Sequence, residues 1–158
     1  MFFDVISILF TVLSFSTNVA CFGDSTGSVT GLNPTGGTPP YTYLWSNGAT
    51  TASVTNLTSG NHTVSVTDAN NCTKVQTVNI TQPDDITITT DLEKDITCFN
   101  DANGEIKITI TGGTLNYNYT WTKDGISYAT TKDITNLSPG IYEVTVSDAN
   151  NCNPKTAT

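Results

Sequence analysis

The chain is written twice, and that repetition limits its folding options more than any other feature. Cys21-Phe22-Gly23-Asp24-Ser25-Thr26-Gly27 lies over Cys98-Phe99-Asn100-Asp101-Ala102-Asn103-Gly104. TGGTPPYTYLW (residues 35–45) lies over TGGTLNYNYTW (111–121), TNLTSG (55–60) over TNLSPG (135–140), and VSVTDANNC (64–72) over VTVSDANNC (144–152). The offset between copies changes only between these blocks, where insertions fall in loops. The unit is about 77 residues long, so each copy has to bury its own small core or lean on a neighbour. The expected domains are residues 9–83 and 84–158, with 1–8 left as either a leader or a strand extension.

Within each copy the apolar residues keep the period of a strand. Ile106, Ile108 and Ile110 alternate with Lys107 and Thr109, which puts three isoleucines on one face. Tyr41, Tyr43 and Trp45 alternate in the same way, as do Tyr117, Tyr119 and Trp121. Val64 and Val66 return as Val144 and Val146. Gly36-Gly37, Asn47-Gly48, Asp124-Gly125 and the two DANN segments break these runs at turns. Six or seven short strands with one apolar face predict an all-β fold of two tandem immunoglobulin-like or PKD-like sandwiches, with Trp45 and Trp121 as the buried aromatics. The Tyr-x-Tyr-x-Trp stripe can serve as a carbohydrate-stacking platform, but at this period it reads first as core.

Composition agrees with the class and removes several functions. Charged residues make up 13% of the chain and there is no arginine, so helix formers and phosphate-binding side chains are both scarce. The net charge is −8. Most of it lies in the second copy, and no basic cluster exists for a nucleic-acid partner. The amino-terminal run is interrupted by Asp4 and by serines, which makes a membrane span unexpected. It also lacks the basic start of a signal peptide. Because Cys21 matches Cys98 and Leu9–Phe15 matches Ile86–Leu92, a first strand is the favoured reading over a leader.

The four cysteines, Cys21, Cys72, Cys98 and Cys152, occupy equivalent places, two per copy. Three pairings are formally possible. Pairing within each copy, Cys21 with Cys72 and Cys98 with Cys152, preserves the repeat unit and is the expected arrangement. Each such crosslink closes a loop worth roughly 2–4 kcal/mol. The alternative is four reduced, buried thiols. Paired cysteines in a small all-β repeat point instead to an exported protein. There is no CxxC, and His62 is the one histidine, so zinc ligation lacks its ligands. His62 has no matched histidine to form a catalytic pair; its counterpart is Tyr142. The Gly-Gly pairs lead into neither a helix nor a Lys-Ser/Thr, so they are not phosphate loops. Neither a catalytic centre nor a cofactor is expected. Within-copy pairing would gather Asp24 with Asp68, Asn70 and Asn71, and Asp101 and Asn103 with Asp148, Asn150 and Asn151. Such a set can ligate calcium, but Asp and Asn in these places are read more simply as turn formers.

CFGDSTGSV, GGTPPYTYLWSNG, the L-T-S-G turn and VSVTDANNC together resemble the SprB-type repeat of bacterial cell-surface adhesins from gliding bacteria. The resemblance runs from about residue 9 onward and is closest in the first copy. The second departs at Leu115-Asn116, which replaces Pro39-Pro40, and in a longer loop after Trp121. What the resemblance implies is a non-catalytic segment of an exported protein displayed on the cell surface. It would act as a spacer and weak multivalent glue in adhesion or gliding, with surface polysaccharide or a substratum and neighbouring repeats as partners. A carbohydrate-binding or accessory module of a secreted enzyme is the alternative, and exposed rather than packed tyrosines would favour it.

Overall fold

The computed structural model describes residues 11–98 and 101–158. The expected leader or strand extension at 1–8, and Leu9 and Phe10 of the expected first strand, lie outside them. The described residues are strands and loops with no helix, and the chain divides into two compact units between Gln82 and Pro83.

The first unit contains β1 (Thr11–Thr17), β2 (Gly27–Thr35), β3 (Thr42–Trp45), β4 (Val54–Leu57), β5 (Gly60–Thr67) and β6 (Thr73–Ile80). The second contains β7 (Thr87–Lys94), β8 (Gly104–Thr111), β9 (Asn118–Lys123), β10 (Ile126–Ala129), β11 (Ile134–Leu137), β12 (Tyr142–Ser147) and β13 (Lys155–Ala157). Unit 1 pairs its strands as β1-β2-β4 and β3-β5-β6, and unit 2 as β7-β8-β11 and β10-β9-β12-β13, antiparallel throughout. Each unit is an immunoglobulin-like sandwich of two sheets. Apart from β10, which has no counterpart in unit 1, the copies correspond strand for strand, down to an irregularity in pairing between Leu13 and Phe15 that recurs between Thr90 and Leu92.

Alternation along the strands fills the space between the sheets. Val29, Trp45, Leu57, Val64, Val66 and Ile80 form the first core, joined by Val19 from the β1–β2 loop. Ile108, Trp121, Ile134, Leu137, Val144 and Val146 form the second. Ile106 and Ile110 pack against it half-buried, so the three isoleucines do share one face. Both tryptophans are buried, and each indole N–H finds a carbonyl on the same side of the core: Trp45 Nε1 donates to Thr51 O and Trp121 Nε1 to Thr131 O, both at 2.9 Å. Trp121 lies on an interior strand, whereas Trp45 lies on β3, at the edge of its sheet.

That difference comes from the insertion after Trp121. The sequence suggests a longer loop there, but the extra residues form β10. Asp124 and Gly125 both take positive φ (51° and 79°), the combination a two-residue hairpin turn requires, and they fold Ile126–Ala129 back onto β9. At the other edge the second copy is poorer. In unit 1, β6 lays Val78 and Ile80 opposite His62 and Gly60. In unit 2, β13 pairs only as far as Val144. A cleft of about 250 Å³ lies beyond it, lined by Ile106, Ile108, Gly140, Ile141, Tyr142 and Ala157.

Because each unit has its own core, truncating one tryptophan acts locally. Trp121→Ala is expected to destabilise unit 2 by about 3–5 kcal/mol. Hydrogen exchange should accelerate in β8, β9 and β12 while β2 and β5 keep their protection. Equal acceleration in both units would mean that the cores are not independent.

Candidate functional site

The residues singled out for chemistry, the cysteines and the acids beside them, sit in loops at the two ends of each sandwich. The closing end is built around one carboxylate. In unit 1, Asp68 Oδ1 accepts the N–H groups of Asn70 (2.9 Å) and Cys72 (2.8 Å), and Oδ2 accepts that of Thr38 (2.9 Å). In unit 2, Asp148 Oδ1 accepts from Asn150 (3.1 Å) and Cys152 (3.0 Å), and Oδ2 from Thr114 (2.9 Å). The amide of Asn70 reaches Thr38 Oγ1 and that of Asn150 reaches Thr114 Oγ1. Asn71 and Asn151 take left-handed φ (64° and 53°) to complete the turn, which asparagine tolerates better than most residues. The DANNC segment therefore clamps the β5–β6 or β12–β13 hairpin to the loop that follows Gly-Gly. In unit 2 the clamp needs glycine: a Cβ on Gly113 would stand 2.8 Å from Ile86 Cγ1 and 3.2 Å from Asp148 Cβ, at φ 62°.

Both carboxylates are buried, and both titrate below the ordinary value of 3.8. For Asp68 the Thr38 amide is the largest cause, followed by that of Cys72. For Asp148, burial pushes the carboxyl up, and the amides of Cys152, Thr114 and Asn150 together more than offset it.

The opening end is looser. Asp24 N donates to Cys21 O (3.2 Å) and Asp101 N to Cys98 O (3.0 Å), the same turn in both copies. Val19 N donates to Thr81 O, and Gly23 N to Gln82 Oε1, so the Cys21 loop lies beside the residues that directly follow β6. Cys72 lies just before the first residue of β6. The eight residues of that strand separate them by roughly 26 Å at about 3.3 Å per residue. In unit 2 the Cys98 loop joins β7 to β8 where Lys94 faces Glu105, whereas Asp148 and Cys152 lie beyond the Thr87–Thr111 end, one length of β8 away.

This polarity overturns the expected crosslinks. A disulfide needs its Cα atoms within about 7 Å, and neither Cys21–Cys72 nor Cys98–Cys152 meets that. Cys72 and Cys98 are exposed free thiols, and the disulfide-bonded cysteines are Cys21 and Cys152. The expected polar gathering fails for the same reason. Asp24 is at the opposite end of unit 1 from Asp68, Asn70 and Asn71, and Asp101 and Asn103 are at the opposite end of unit 2 from Asp148, Asn150 and Asn151. Among the described residues no group of three or more His, Cys, Asp or Glu side chains is placed to hold a metal ion.

The aromatic stripe is packed. Tyr41, Tyr43, Tyr117 and Tyr119 are half-buried against the two cores, and Tyr41 and Tyr117 donate their hydroxyls to Gly36 O and Gly112 O. Burial pushes the Tyr119 phenol up. His62 behaves as a strand residue: its Nε2 meets Thr58 O at 2.9 Å, and its counterpart Tyr142 places its hydroxyl 2.8 Å from Ser138 O, the matched carbonyl. The hydrogen bond survives the change of residue.

Two antiparallel sheets per unit, with a buried tryptophan and a tyrosine closing the Gly-Gly turn, define a pair of immunoglobulin-like sandwiches. The fold is similar to that of the three N-terminal domains of the bacteriophage RB49 Highly Immunogenic Outer Capsid protein (Hoc), with a TM-score of 0.59 and 21% identity. That likeness covers 94% of this chain and 57% of that structure, so the chain spans just over half its length. More specifically, the SprB repeat family matches residues 13–50 and 93–125. The two segments are equivalent: each begins in the first strand of its sandwich and continues past the tryptophan. The closing DANNC blocks fall outside the match, which is narrower than the expected span from residue 9 onward. No curated protein matches the chain.

The carboxylate clamps make the protein acid-sensitive. Their folded-state pKa values are depressed, so the stability they contribute is complete above the ordinary carboxyl range and is lost as pH falls through the lowered values. The melting temperature is expected to drop on acidification below about pH 4. In the Asp68→Asn, Asp148→Asn double variant that slope should flatten. Asp148→Asn also turns an N–H donor towards Thr114 and is expected to lower the melting temperature at pH 7 by roughly 5–10 °C. Since both carboxylates are already engaged by amides, millimolar calcium should leave the melting temperature unchanged.

Proposed function

We propose that the chain is a non-catalytic repeat segment of an exported bacterial cell-surface adhesin, in which it acts as a spacer and a weak multivalent adhesive module. The observation that carries this reading is the match to the SprB repeat at equivalent places in both copies. The disulfide at Cys21 and Cys152 supports an extracellular setting, because such bonds persist in oxidising compartments. Tyr41, Tyr43, Tyr117 and Tyr119 are half-buried against the cores, which withholds from the carbohydrate-platform alternative the support that their full exposure would have given it.

Weak repeats act through number. Beads carrying the chain at high density are expected to resist detachment by flow from polysaccharide-coated glass. Sparse beads should detach, and the soluble chain should show no saturable binding below the millimolar range. Tight binding of one oligosaccharide by the soluble chain would overturn the adhesin reading in favour of a carbohydrate-binding module, and a hydrolase domain in the same reading frame would do so too.

A further inference from the structure

The cysteines fall into two types. Cys21 and Cys98 open their repeats and Cys72 and Cys152 close them, and within each repeat the two types are a full strand length apart. Neither repeat can close a disulfide between its own two cysteines, so a protein thiol that pairs with either of them has to come from outside that repeat. The bonded cysteines are one opening residue, Cys21, and one closing residue, Cys152. The free ones are the complementary set, closing Cys72 and opening Cys98, both exposed.

Each free thiol is presented on the same scaffold as its bonded counterpart. The N–H of Cys72 is held by Asp68 Oδ1 at 2.8 Å, as that of Cys152 is held by Asp148 Oδ1 at 3.0 Å. The carbonyl of Cys98 accepts from Asp101 N at 3.0 Å, as that of Cys21 accepts from Asp24 N at 3.2 Å.

We propose that Cys72 and Cys98 are the two halves of an unfilled covalent junction, and that the partner each takes is the matched cysteine of another such repeat, a second copy of this chain included. The bond runs from closing to opening cysteine, Cys72 of one copy to Cys98 of the next. Because the two halves differ, the contact is head-to-tail and does not end at a dimer. The chemistry is thiol–disulfide exchange with a small disulfide as oxidant. The Cys98 thiolate attacks glutathione disulfide, forming a mixed disulfide and releasing one glutathione thiolate. The Cys72 thiolate of a second copy then attacks the Cys98 sulfur and expels the second glutathione. Two protein thiols are oxidised to one disulfide, and one glutathione disulfide is reduced to two thiols. The inference rests on the placement of the cysteines and not on the adhesive reading, so either can fail without the other.

The test is oxidation of the full chain by glutathione disulfide, followed by alkylation and a non-reducing gel. A ladder of multimers that collapses with dithiothreitol is expected, and peptide mapping of the unaltered chain should find Cys72 joined to Cys98. Cys72→Ser and Cys98→Ser should each stop the ladder at the dimer. Mixed in equal amounts, the two variants should form the heterodimer well beyond the statistical half. Three results would overturn the proposal: a monomer whose Cys72 and Cys98 both remain alkylatable, links between like cysteines at statistical proportions, or a Cys72–Cys98 bond formed within one molecule.

Discussion

Asp68 and Asp148 each draw three backbone N–H groups from two separate segments onto one buried carboxylate, and the closing end of each sandwich depends on that convergence. The clamp joins the final hairpin, which belongs to the sheet carrying the tryptophan, to the loop arriving from the other sheet. A burial cost that would ordinarily raise a carboxyl's pKa is outweighed by charge-assisted hydrogen bonds. The clamp also sets where the closing cysteine stands, because the N–H of Cys72 or Cys152 is one of the three donors. The structural acid and the closing cysteine share one turn.

Around that clamp the two copies retain bonds more faithfully than residues. Histidine in one and tyrosine in the other reach the same carbonyl. Pro39-Pro40 and Leu115-Asn116 share a cis peptide at the same place. Both tryptophans donate to a loop carbonyl although the loops differ in length. The clearest difference collects at a sheet edge, where the second copy adds the hairpin strand β10. The core and the end loops are kept in both copies, and the added strand lies at an edge.

Much of the architecture was legible because strands announce themselves by local alternation. The isoleucine triplet, the valine pairs and the Tyr-x-Tyr-x-Trp stripe each placed a face towards a core, and the structure fills two cores with those side chains. The duplicated sequence also anticipated that His62 is a strand residue, from its overlay on Tyr142. The strand formed by Ile126–Ala129 was harder to see. Asp124-Gly125 signals a turn, but whether the residues beyond it pair back depends on an open sheet edge, which no local pattern reports. The carboxylate clamp was half-visible: Asp and Asn in DANNC indicated a turn, while the reach of Asp68 to Thr38 and of Asp148 to Thr114 spans 30 and 34 residues.

The cysteines mark the boundary between the two kinds of knowledge. The repeated sequence by itself determined that there are two β-sandwiches, which residues line their cores, and that the four cysteines fall into two equivalent types. Tertiary structure alone decided that the two cysteines within each repeat do not pair. Matching positions along a chain gives equivalence but not distance, and an antiparallel strand carries residues that look like natural partners to opposite ends of the domain. A whole strand therefore lies between the cysteines of each repeat. Cys21 and Cys152 are bonded, and Cys72 and Cys98 stand exposed and unspent.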